Sequence, residues 1–183
     1  CEKGGCLMAV IEAIETVYLT SAAASVTFSS LGSYEHLQIR ASGRHDNPGG
    51  GGSNIRIRFN GDTGSNYSFA DFASYNGNNS NADAYTGQAF VYGGGRLTGP
   101  LTPDAENFAT SIIDILDYRN ANKNTTMLQM SGSVDDYSGA SFIWHGTGLW
   151  DNTAAVTSIL LYPQAGDFVE HTSMTLYGLN SAI

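Results

Sequence analysis

The chain is predicted to be all-β, a sandwich or barrel of about ten short strands, on three observations. Apolar residues alternate with polar ones in short runs, the period of a half-buried strand. Those runs are broken by clusters of Gly, Asn, Asp and Ser, residues that favour turns over helix interiors. The composition agrees: 22 of 183 residues are Gly, and only 14% are charged. Hydrophobic residues make up 42% and aromatics 11%, enough apolar surface to offset chain entropy and hold one core.

In chain order, the first strand is expected over residues 14–19, although Met8 to Glu15 also fits an amphipathic helical turn through Ile11 and Ile14. Val26 to Ser29 forms the next strand. Leu37, Ile39 and Ala41 alternate with His36, Gln38 and Arg40, and Ile55, Ile57 and Phe59 alternate with Arg56, Arg58 and Asn60. The stretch from Arg44 to Asn54 between them, with four glycines at positions 49–52, is expected to be an exposed loop. Asn60-Gly61 and Asn76-Gly77 accept the positive φ of tight turns. The polar tract 78–83 after the second reads as a surface loop. Further strands are expected over residues 84–92, 109–118, 125–133, 141–145, 155–162 and 168–177, and a short helical turn over 104–109.

Residues 1–13 are expected to form an arm and 14–183 the sandwich. Both cysteines, Cys1 and Cys6, lie in that arm, so no disulfide staples the core. Their spacing, without nearby His, falls short of a structural zinc site. Met8 is a candidate native start. No basic segment leads into a long apolar run, and no apolar stretch approaches the roughly 18 residues of a membrane span.

Eight Lys and Arg against 17 Asp and Glu give a formal net charge of −9. Scattered cations in such a chain cannot form the basic face that releases counterions from nucleic acid, so nucleic acid is excluded as a partner. Motifs for chemistry are absent: no G-x-S-x-G elbow, no phosphate-cradling lysine loop and no H-E-x-x-H helix. His36, His45, His145 and His171 are scattered, three of them in expected strands. Asp114 with Asp117, Asp135 with Asp136, and Asp167 with Glu170 are the candidate carboxylate pairs; the first two do not aim at one substrate, and Asp135-Asp136 reads as turn chemistry. Asn60, Asp62 and Ser65 offer oxygens to a hard cation, but they lack the length and ligand order of an EF-hand loop, and a turn is preferred. No catalytic, cofactor-binding or metal-ligating residue is assigned. Among the many aromatics, Tyr75, Tyr85 and Trp150 border polar loops and are the candidates for stacking on a glycan.

Three blocks carry a family resemblance. They are Ala23 to Ser30 followed by Tyr34-Glu35-His36-Leu37-Gln38-Ile39-Arg40; Ile57-Arg58-Phe59-Asn60-Gly61-Asp62-Thr63-Gly64-Ser65-Asn66-Tyr67-Ser68; and Ile115-Leu116-Asp117-Tyr118 with Asn122-Lys123. Gly148-Leu149-Trp150, Ala155 to Ile159, Phe168-Val169 and Leu176-Tyr177-Gly178 complete the pattern. The chain thereby resembles small tailed-bacteriophage virion proteins, common in marine phages, that stand alone or end a tail fibre. The resemblance covers about Ile14 to Leu179. It implies a jelly-roll-like antiparallel β-sandwich with a structural or receptor-contact role, no enzyme activity and no cofactor. The expected partners are copies of itself, with a trimer preferred, other virion proteins, and as an alternative role a host-surface glycan. A cysteine-free sandwich suits folding in a bacterial cytoplasm followed by life on an extracellular particle, and a weakly charged exterior suits packing against copies of itself. The arm, taken as far as Thr20, is expected to dock on a neighbouring subunit.

Overall fold

The computed structural model describes residues 11–48, 53–75, 79–100, 105–134 and 141–180. Cys1, Cys6, Met8, the glycines at 49–52, the Asn76-Gly77 turn and Asp135-Asp136 lie outside these residues. Twelve strands and no helix occur among the described residues: β1 Ile11–Tyr18, β2 Val26–Phe28, β3 His36–Gly43, β4 Ser53–Phe59, β5 Tyr67–Tyr75, β6 Asn79–Gln88, β7 Val91–Leu97, β8 Ala109–Leu116, β9 Thr125–Val134, β10 Ser141–Trp150, β11 Ile159–Pro163 and β12 Ser173–Leu179. They form two antiparallel sheets, an eight-stranded one in the order β1-β12-β3-β8-β9-β10-β5-β6 and a four-stranded one in the order β2-β11-β4-β7. The expected β-sandwich is what the chain adopts.

Alternation decides which face goes inward. Leu37, Ile39, Ile113, Ile115, Met127, Met174 and Leu176 of the large sheet meet Val26, Phe28, Ile55, Ile57, Phe59, Val91, Ile159 and Leu161 of the small one in a continuous core. Burying each such side chain contributes about 1.5–3 kcal/mol, and that gain fixes the register, because a slip of one residue would turn every apolar group outward. β7 lies close over the large sheet because Gly93, Gly94 and Gly95 have no side chains. A Cβ on Gly95 would sit 2.2 Å from the Ser131 hydroxyl and 2.6 Å from Trp144 Cβ.

Several expectations need correction. The arm does not extend to residue 13: β1 starts at Ile11 and pairs along β12 of the same chain from Ile11 to Tyr18, so this part belongs to the large sheet. Of the tract expected as a loop over 78–83, residues 79–83 are the first half of β6, whose polar residues are held by pairing with β5. The strand expected over 84–92 is split, because Gly87 takes a φ of 62° and turns the chain into β7. The strand at 141–145 continues to Trp150, and that at 155–162 begins only at Ile159. His171, at a φ of 71°, divides the strand expected over 168–177. Arg44 and His45 open the expected exposed loop but are buried, with His45 bridged to Phe168. Residues 105 and 106 are a turn, not a helix.

Candidate functional site

The block from Phe59 to Tyr67 is a structural corner. Asn60 and Gly61 have φ values of 54° and 68°, the pair of positive angles a tight hairpin needs. The Asn60 side chain reaches the segment before β11, accepting from the Thr157 N–H at 2.7 Å and the Ser158 N–H at 3.1 Å and donating to the Ala155 carbonyl at 2.9 Å. Asp62 accepts from the Gly64 N–H at 2.8 Å, the Asn66 amide at 2.9 Å and the Trp150 indole N–H at 2.8 Å. The Asn66 and then the Trp150 hydrogen bond hold its carboxyl below the usual range. The Tyr67 hydroxyl accepts from the Phe59 N–H at 3.0 Å, and burial pushes its pKa up to about 12. Oxygens filled by N–H donors are not cation ligands, so Asn60 and Asp62 serve the turn. Trp150 is 1% exposed and packs against Phe59 and Tyr67 at centroid distances of 5.6 and 6.4 Å. It is a core residue, not a glycan contact, because β10 runs on to position 150 and points it inward.

Tyr75 and Tyr85 fall on a different feature. The small sheet ends at β7, which packs over β8, β9 and β10 and reaches only the border of β5. The β5–β6 hairpin therefore projects as a ledge. Its inward row pairs Phe69 with Tyr85, Asp71 with Asp83, Ala73 with Asn81 and Tyr75 with Asn79. Six residue steps at about 3.3 Å separate the two ends, so Tyr75 and Tyr85 stand about 20 Å apart along one face. Tyr85, 44% exposed, rests on Phe69 at 5.0 Å, which in turn meets Tyr92 at 4.6 Å. At the other end Tyr75 packs edge-on against Phe142 at 4.9 Å.

The middle of the ledge is acidic. Asp71 is 8% exposed, and burial together with the nearby Asp83 raises its pKa to about 6. Asp83 accepts from the Asn81 amide. The same Asp83 charge raises the Tyr85 hydroxyl, whereas burial is the first cause at Tyr75. Across the sheet, Asp71, Gly146 and Gln129 share one row, and the Gln129 amide lies over Gly146, its Nε2 2.7 Å from where a Cβ would sit. Asp71 Oδ2, both Gln129 amide atoms and Trp144 Nε1 are buried without a hydrogen-bond partner. Sequence reading missed Asp71 and Asp83, twelve positions apart. The register of β5 against β6 is what pairs them.

The opposite, outward face of the large sheet is apolar at its centre. His145 stands between Phe72 of β5 and Met130 of β9, and Met130 pairs with Ile112 of β8. Ile143, Met130 and Phe72 are 65%, 54% and 52% exposed. Outward positions of β9, β10, β5 and β6 carry no Asp, Glu, Lys or Arg among the described residues. Asp114, at the border on β8, accepts from Gln38 at 2.8 Å.

One trio has the residue types of a metal site. Ligand atoms of Glu35, His36 and Asp117 lie within 4.8 Å of one another. His36 Nδ1, however, accepts the Asp117 N–H at 3.0 Å, and Asp117 is paired with the Lys123 ammonium, which holds its carboxyl low. Asp117 has a φ of 49° at the end of β8, so the trio locks a turn.

No family model matches the chain, and no curated protein matches its sequence. Among solved structures, it is similar to exo-inulinase from Aspergillus awamori, at 14% identity and a TM-score of 0.28 over 93% of this chain and 29% of that one. It is also similar to the exoplasmic/lumenal domain of VIP36 in a Ca2+/Man3GlcNAc-bound form, at 11% identity and a TM-score of 0.31 over 95% of this chain and 86% of that one. The chain thus spans under a third of the inulinase. At TM-scores this low neither likeness bears on the chemistry of this chain.

Proposed function

We propose that the chain is a non-enzymatic structural module on the outer surface of a tailed-phage virion, as a capsid decoration or tail-fibre protein, assembling with copies of itself as a trimer. The observation that supports this reading most is the uncharged apolar centre on the outward face of the large sheet. A protein of net charge −9 repels its own copies over most of its surface. Where β9, β10 and β5 present Leu128, Met130, Ile143 and Phe72, that repulsion is absent and apolar area is available to bury.

The virion reading is tested by antibody labelling of intact phage particles that encode the chain. Regularly placed label on the outer surface is expected. Particles that lack the chain altogether contradict the reading.

A further inference from the structure

We propose that the β5–β6 ledge binds a neutral saccharide, with Tyr85 stacking on a sugar ring and the Asp71–Asp83 pair accepting its hydroxyls. The site is independent of the assembly face, since the inward row of β5 and β6 points away from Phe72 and Ile143.

The class of ligand follows from the groups present. Tyr85 offers a partly exposed ring held from behind by Phe69, the arrangement that makes a rigid stacking platform. Beside it are two carboxylates that face each other across the hairpin, acceptors for the O–H groups of a sugar. Further in, the partnerless polar atoms are of both kinds: Asp71 Oδ2 and Gln129 Oε1 accept, whereas Gln129 Nε2 and Trp144 Nε1 donate. Gln129 is only 1% exposed, and a buried amide without partners is costly unless a bound group meets it.

Hydroxyls and the waters they order both donate and accept, so they satisfy this mixed set. A metal ion would meet two N–H donors among the four atoms, and a phosphate, uronate or sialic acid would meet two carboxylates. Neutral sugars are therefore the class that fits. Cleavage does not follow, because both carboxylates rise from the same side of one hairpin, whereas glycoside hydrolysis places its two carboxyl groups on either side of the bond.

The test is titration of the full chain with neutral malto-, cello-, manno- and galacto-oligosaccharides and with oligogalacturonate, read by amide chemical shifts. Binding of at least one neutral series is expected, with shifts centred on Asp83, Tyr85 and Asn81. Tyr85→Ala and Asp83→Asn should each weaken it about tenfold or more, while Tyr85→Phe keeps most of it. Both positions lie on an edge strand, and far-UV circular dichroism checks that the variants fold. Should either unfold, the wild-type shift map decides alone. Shifts elsewhere, no binding up to about 10 mM, tighter binding of oligogalacturonate, or product release by a reducing-end assay would each overturn the proposal. Sedimentation of Tyr85→Ala as the wild-type oligomer is expected, so failure here is separable from failure of the assembly reading.

Discussion

The indole N–H of Trp150 donates to the Asp62 carboxylate at 2.8 Å and so ties the last residue of β10 to the turn between β4 and β5. The bond joins the two sheets at one corner: β4 belongs to the small sheet, while β5 and β10 belong to the large one. The same carboxylate orders its own turn through Gly64 and Asn66. The block from Phe59 to Tyr67 is thus a folding element.

Asp62→Ala should therefore destabilise the protein by about 2–3 kcal/mol, since it strips a buried indole N–H and two turn donors of their acceptor. Trp150→Phe should cost about 1–3 kcal/mol, through lost packing and a lost hydrogen bond. Urea unfolding followed by circular dichroism measures both. A loss below about 0.5 kcal/mol for Asp62→Ala would mean that the corner is incidental.

Asp71 sets a pH dependence of the opposite sign to Asp62. Its folded pKa is raised from 3.8 to about 6, so the unfolded chain ionises it more readily. Burial of the charge destabilises the fold fully above about 6, and the penalty fades as pH falls towards 3.8. Asp62 and Asp117, with lowered values, contribute stability above the unfolded carboxylate range that is lost on further acidification. Stability should accordingly rise from pH 7 to about 4.5 and then fall. Asp71→Asn should raise stability at pH 7 by about 1–2 kcal/mol and remove the rise. Melting temperature across pH for both proteins gives the comparison.

Gly95→Ala should cost about 1–3 kcal/mol, because its Cβ would overlap Ser131 Oγ and Trp144 Cβ, and β7 would have to lift from β9 and β10. Gly87→Ala meets no such crowding and is strained only by its φ of 62°. Its cost should be about 1 kcal/mol. Chemical denaturation of the two variants separates crowding from backbone strain.

How much was legible in the chain depended on which faces are covered. β3 and β4 could be read because their inward rows, Leu37-Ile39-Ala41 and Ile55-Ile57-Phe59, enter the core while polar residues face out. β5 was hidden as a strand because Phe72 is apolar yet points outward, which spoils the alternation. β6 was hidden because Asn79, Ser80 and Asn81 are turn formers, and only pairing with β5 makes them a strand. Along β10, Gly146 and Gly148 occupy inward positions and mask the row that would have placed Trp150 in the core. Of the three aromatics chosen as glycan contacts, the structure brings Tyr75 and Tyr85 to one ledge and removes Trp150. The acids between them became visible only with the hairpin register.

Sedimentation velocity of the wild-type chain against Ile143→Glu and Met130→Glu, over a range of protein concentrations, tests the assembly account most directly. A wild-type trimer is expected, and folded monomers once a carboxylate is placed at the apolar centre of the large sheet. A wild type that remains monomeric at high concentration, or variants that assemble as it does, would contradict it.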